Sequence, residues 1–196
     1  MEAFSDGVFA IAITLLVLEI SVPKGSESDL WRALVHQWPS YLAYLVSFAT
    51  IGAVWFGHTV ITEHLEGATS VLNRLNLLLL LVVSFLPFPT RLLAEYIQEP
   101  DAERVASAVY GLNLLLTSVL LSALWRYAVH EHLVRADVSD EDVKTLRKRL
   151  APSLGAYLVL IVLGLFVPVI AVAGYFAIAV YILVPIRALR RSRAAA

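Results

Sequence analysis

Residues 105–125 pass without one charged side chain, and residues 150–186 do so for thirty-seven positions. Backbone in hydrocarbon must satisfy its own N–H and C=O groups, so runs like these fold as membrane helices. The first matches the ~20 residues that cross a bilayer core. As a single helix the second would be ~55 Å long, against a ~30 Å core. It must fold back on itself, and Pro168 and Gly174 supply the punctuation for a hairpin.

Read the same way, the chain becomes an all-α membrane protein of one domain, residues 1–196, with six spans. They are residues 4–22, 38–61, 72–93, 105–126, 150–169 and 172–186, with a charged connector at 127–149 and a basic tail at 187–196. Pro39 suits a first helical turn, where its missing N–H costs nothing. Residues 29–37 are amphipathic and lie at the interface or extend the second helix, while Pro87 and Pro89 bend or break the third. Only 16% of the residues are charged, against about a quarter in soluble domains. Lys and Arg number eleven on the side shared by the two termini and four on the other, so both termini face the cytoplasm and the chain sits in the cell membrane.

The first span is unusual. Asp6 and Glu19 bracket only twelve uncharged residues, short for a helix facing lipid; a re-entrant or interfacial helix is the alternative. Phe4, Val8, Ile11, Leu15, Leu18 and Val22 recur at spacings of 4, 3, 4, 3 and 4, the seam of a helix packed against copies or neighbours. Such a helix fits the centre of an assembly. Ile11, Leu15 and Leu18 share one stripe, and a ring of such residues makes an apolar constriction that blocks ions by dewetting. Helix-packing core is the other use of the stripe. One seam per subunit cannot enclose a pore, so conduction requires an oligomer.

Other chemistries find no support. With no cysteine, thiolate ligands and nucleophiles are absent. The opening residues lack the basic stretch of a signal peptide. His130-Glu-His132 and Glu63-His64 lack the i, i+4 spacing of a zinc helix and read as solvated helix ends, so no metal or other cofactor is expected. No phosphate loop, nucleophile elbow or buried carboxylate pair suggests an enzyme. The basic segments 144–149 and 187–193 mark topology and meet anionic headgroups of membrane lipid, not nucleic acid. Ala173-Gly-Tyr-Phe176 lacks the Thr-Val that would precede Gly in a TVGYG potassium filter, and no pore helix accompanies it.

The string Phe4-Ser-Asp-Gly-Val-Phe-Ala-Ile-Ala-Ile-Thr-Leu-Leu-Val-Leu-Glu19 resembles the first helix of bacterial homologues of the endosomal–lysosomal potassium channel family. Trp55 and His58 fall at that family's W-x-x-H positions, and Asn73, Asn76 and Val83-Ser-Phe-Leu-Pro-Phe-Pro89 continue the likeness. The resemblance implies six helices per subunit and four subunits around a pore lined by helix one. It implies a constriction of Ile11, Leu15 and Leu18, narrowest and most cytoplasmic at Ile11, with Thr14 as the polar residue contributing to potassium preference. It implies a clamp of Phe4, Ser5 and Asp6 to helices two and three, with Trp55, His58 and Asn76 in the same network and His58 and Asn76 as partners of Ser5 and Asp6. Potassium is the expected permeant ion, with sodium, caesium and protons as further candidates. Family members carry an Arg a few residues before Phe-Ser-Asp, which the residues from Met1 do not include, and often a second His where Thr59 stands. Glu19 reads either as an acidic ring at the outer mouth or as a helix-end carboxylate. The alternatives to a channel are a secondary or proton-coupled transporter, which needs a polar midplane site, and a non-conducting membrane scaffold.

Overall fold

The computed structural model describes residues 2–21 and 29–183. Val22, Lys24 and the tail with Arg187, Arg190, Arg191 and Arg193 lie outside the described residues, as do the side chains of Arg147, Lys148 and Arg149. Among the described residues eight α-helices follow one another: α1 Glu2–Leu15, α2 Leu30–His36, α3 Trp38–Glu63, α4 Ser70–Phe85, α5 Pro87–Tyr96, α6 Ala102–His130, α7 Asp140–Gly164 and α8 Pro168–Leu183. A 3₁₀ turn, Leu16–Glu19, continues α1. Among the described residues the only β pairing is one isolated bridge, Leu65 with Val134.

Local chemistry sets the boundaries. Asp29 caps α2 by accepting the Arg32 N–H at 3.1 Å, and Thr69 caps α4 by accepting that of Leu72 at 3.2 Å. Pro39 sits in the first turn of α3 and Pro168 opens α8, both positions where no amide hydrogen is needed. The long apolar stretch reverses at residues 165–167, whose N–H groups return to Val162 and Leu163. Gly174 is therefore not part of the hairpin turn; it lies inside α8, where Leu160 of α7 packs so closely that a Cβ would collide with it. Nor is the connector as long as the charges suggest. α6 runs through to His130 and α7 starts at Asp140, leaving nine residues, part of which pairs with the α3–α4 loop through Glu66 N–H to Leu133 O and Arg135 N–H to His64 O.

Among the described residues three helical stretches are long and apolar enough to cross a membrane: Trp38–Glu63, Ser70–Tyr96 and Ala102–His130. The second of these is α4 and α5 joined through Leu86. Pro87 and Pro89 cannot donate the amide bonds that would continue α4, and the Leu86 N–H turns to Val83 O in a tighter turn. A hydroxyl chain braces the break. Thr90 gives its proton to Leu86 O at 2.8 Å, so Ser47 must donate to Thr90 at 2.7 Å and Tyr110 to Ser47 at 3.0 Å. That chain joins α3, α5 and α6 where apolar packing alone would not fix their rotation, because lipid solvates leucine as well as another helix does.

The body is a bundle in which α6 packs on α4, α5 and α7, while α3 packs on α5 and α8. Trp125, Tyr110 and Tyr175 are its largest fully buried side chains. α1 lies on one side, with its helical part against α4 and α3 and its 3₁₀ turn against α5 and α3. The helix and its support therefore change winding together: α1 tightens after Leu15 where α4 gives way to α5.

Candidate ion pathway on the first helix

The inward face of α1 carries Ser5, Phe9, Ala12 and Leu16, each at most 2% exposed. They recur at i, i+4, i+7 and i+11, one side of a helix. Val8 of the sequence seam is only half-buried, and Phe4, Ile11, Leu15 and Leu18 are exposed at 63, 60, 40 and 71%. Two apolar stripes thus lie side by side. One is packed into the subunit, and the other, containing the residues expected to form a constriction, faces away from it. Thr14 is on the exposed side with its hydroxyl turned to Ile11 O at 2.9 Å, which leaves its oxygen lone pairs outward. Gly7 shares this face and has nothing within 4 Å of where a Cβ would stand.

The 3₁₀ winding rearranges the C-terminal end of the helix. With three residues per turn, side chains at i and i+3 eclipse. Leu18 therefore stands over Leu15, prolonging the exposed stripe. Glu19 stands over Leu16, on the buried side; α-helical winding would have left it about 60° from Leu16 and closer to the stripe. Accordingly the Glu19 carboxylate turns to α5, 3.9 Å from Arg91 Nε, and its side chain is only 24% exposed. Arg91 bonds more closely to Glu95, at 2.8 Å. Glu19 is thus part of a Glu–Arg–Glu group on the flank of the helix. The i, i+4 spacing of Arg91 and Glu95 is readable in sequence, but the approach of Glu19 from seventy-two positions away is not.

The other end of α1 is tied by side-chain hydrogen bonds. Asn76 Nδ2 on α4 donates to Ser5 Oγ at 3.0 Å, and Asn76 Oδ1 pairs with His58 Nε2 on α3 at 2.8 Å. Because Oδ1 can only accept, His58 Nε2 carries the hydrogen, and Nδ1 finds no hydrogen-bond partner among the described residues. All three side chains are at most 2% exposed. Asp6 does not join His58 or Asn76. It accepts instead from Trp55 Nε1 at 2.8 Å, so a charge-assisted bond and a neutral triad hold neighbouring residues of α1 separately. Trp55 and His58 lie one turn apart on α3, and the Phe9 ring sits 5.5 Å from the imidazole, closing the contact. Phe4 takes no part in this clamp; it projects on the exposed face with Ile11. His130, on the surface, pairs with its neighbour Glu131 at 3.2 Å.

Arranged this way, α1 has one face bonded to its own subunit and one apolar face with a single hydroxyl residue offered to whatever lies beyond. Comparison with known proteins bears on what that is. The profile described as endosomal/lysosomal potassium channel TMEM175 matches residues 1–87. A potassium channel of Streptomyces collinus is 46% identical over 153 residues, covering 77% of this chain and 74% of the relative. A potassium channel of Chamaesiphon minutus is 42% identical over 187 residues, covering 92% and 91%. The crystal structure of a lysosomal potassium-selective channel TMEM175 homologue from Chamaesiphon minutus superposes with a TM-score of 0.84 at 41% identity, covering 96% of this chain and 95% of that one.

Proposed function

Since this chain belongs to the TMEM175 potassium channel family, we propose that it is a potassium-preferring channel, passive and not enzymatic, whose pore is lined by α1 of several copies. The observation that carries the reading is the division of α1 into a bonded face and an exposed stripe of Ile11, Leu15 and Leu18. A symmetric ring of subunits, four by likeness to the family, turns that stripe to a shared axis and stacks three apolar rings. Narrow rings of this kind exclude water and hold ions out; widening them by a small tilt of α1 wets the path and lets ions through. Thr14 is the polar group beside those rings, and its outward lone pairs can meet a partly dehydrated cation. The Ser5–Asn76–His58 triad and the Asp6–Trp55 bond hold the helix against α3 and α4, so the rings move only as the body moves.

The membrane arrangement follows from the same elements. Six spans are assigned to α1 with its 3₁₀ turn, α3, α4 with α5, α6, α7 and α8. The first is about 29 Å long at 1.5 Å per α residue and 2.0 Å per 3₁₀ residue, close to the ~30 Å hydrocarbon core. Both termini lie in the cytoplasm of the cell that carries the protein in its membrane, because eleven of the fifteen Lys and Arg fall on that side. The clamp is then at the cytoplasmic end of α1 and the Glu19–Arg91–Glu95 group at the outer end.

The test is flux from potassium-loaded liposomes against sodium-loaded ones, with the parent protein and Ile11→Ala. Faster potassium flux from the parent is expected, with resolved unitary currents in planar bilayers. Ile11→Ala should raise the leak and narrow the difference between the ions. Saturable flux without unitary currents would mark a carrier, and no flux at all a scaffold. An unchanged conductance in Ile11→Ala would remove that residue from the constriction.

A further inference from the structure

Between α3, α4 and α6, next to the break at Leu86, lies a cavity of about 10 Å³ lined by residues that include Thr50, Val54, Val83, Leu86, Asn113 and Thr117. That is the room one water molecule needs and no more. Asn113, 8% exposed, divides its amide between two tasks. Nδ2 donates at 3.1 Å to the carbonyl of Val82, in the last turn before α4 ends. Oδ1 has no hydrogen-bond partner among the described residues. The two wall hydroxyls have already spent their protons on carbonyls one turn back: Thr50 on Val46 O and Thr117 on Asn113 O, both at 2.8 Å. Beyond the second Nδ2 hydrogen of Asn113, the polar side chains of the cavity therefore present lone pairs.

We propose that this cavity is a structural hydration site, in which one water molecule donates one hydrogen to Asn113 Oδ1 and the other to the hydroxyl oxygen of Thr50 or Thr117. A buried amide oxygen without a donor is costly, and acceptor oxygens set in otherwise apolar walls suit a small ligand that can donate twice. None of the lining residues carries a negative charge, so a small cation would lose its hydration without a counter-charge, and neutral water is favoured over ammonium or sodium. The bound water ties α6 to its neighbours where α4 gives way to α5, the same level at which α1 passes into its 3₁₀ turn. It adjoins the hydroxyl chain from Tyr110 to Leu86, since Tyr110, Leu114 and Thr117 share one face of α6 and Leu86 belongs to both. The inference concerns the bundle of one subunit and does not depend on the channel reading.

A density map of the full oligomer, at a resolution that shows other buried waters, should contain a peak about 2.7–3.2 Å from Asn113 Oδ1 and within the same range of one of the two threonine oxygens. An empty cavity in such a map overturns the proposal. Thermal melting gives a second reading. Of Thr50→Val and Thr117→Val, at least one should lower the melting temperature by about 2–4 °C more than Thr62→Val does. Thr62 is a control with the same kind of hydroxyl-to-backbone bond, to Thr59 O at 3.1 Å, away from the cavity. If neither variant exceeds the control, no water uses these oxygens.

Discussion

Replacing Asn76 by leucine is the most informative perturbation of the first helix. The side chains share a branched outline, so the substitution removes the polar atoms without opening a cavity, and the greater bulk of leucine can only add to the cost. Two buried bonds disappear, to Ser5 at 3.0 Å and to His58 at 2.8 Å. Each contributes a net of about 1 kcal/mol. The cost is larger than their sum, because His58 is 1% exposed and its Nδ1 already lacks a partner, so the imidazole is left with neither nitrogen bonded. That desolvation adds about 1–2 kcal/mol, for a total of about 3–4 kcal/mol. At about 2–4 °C per kcal/mol for a chain of this size, the melting temperature of the purified protein should fall by roughly 6–16 °C. Ser5→Ala alone should cost about 1 kcal/mol, and the double variant should fall short of the sum of the singles by about the same amount, since both remove one bond. The C-terminal end of α1 keeps its packing on α5, so the helix should remain in place while its N-terminal half loosens and basal leak rises in the flux assay. A melting point within about 2 °C of the parent, or strictly additive single variants, would mean that the triad does not hold α1.

Two further perturbations address the outer end and the bundle. Neutralising Arg91 with Arg91→Gln leaves the Glu19 and Glu95 carboxylates without their cation, so unitary potassium conductance should rise, about 1.5–2-fold at ~0.02 M salt and not at ~1 M, where charges are screened within about 3 Å. Glu19→Gln should move it the opposite way, and equal conductance for both variants at low salt would remove this group from the ion path. Gly111→Ala places a methyl group against the Tyr175 hydroxyl and 2.7 Å from an Ile161 carbon, where the tyrosine is fully buried and reaches Ser107 O. Overpacking of this kind costs about 1–3 kcal/mol, more than the gain of about 1 kcal/mol from replacing a helical glycine. The melting temperature should fall, and an unchanged or higher value would show that α6, α7 and α8 are not in contact at this point.

How much of this was legible beforehand differs from residue to residue. Charge-free stretches too long for anything but membrane helices stand in the sequence, as does the family, through an ordered string of sixteen residues and not through a short pattern. The break after Phe85 has its cause in plain view, because two prolines two residues apart cannot donate. Gly174 misleads for a physical reason: between packed membrane helices a glycine serves close approach as often as a turn. Pro168, read as part of the same punctuation, instead begins a helix, where its fixed φ is an advantage.

The linear order of residues by itself determined that α1 would be a helix with an apolar stripe through Ile11, Leu15 and Leu18 and polar residues at its N-terminal end, since spacing and residue type are properties of the chain alone. Only the tertiary structure decided which face is buried. In a soluble protein the polar side of a helix identifies the exposed face, but here lipid, pore and protein interior all accept apolar side chains, so two adjacent stripes look alike in sequence. The bonds of Asn76 to Ser5 and of Trp55 to Asp6 resolve that ambiguity by fixing the rotation of α1. The tightening of its last turn, which stacks Leu18 on Leu15 and sends Glu19 toward Arg91, likewise comes from packing on α5 across the break, a contact between segments about seventy residues apart that no local pattern encodes.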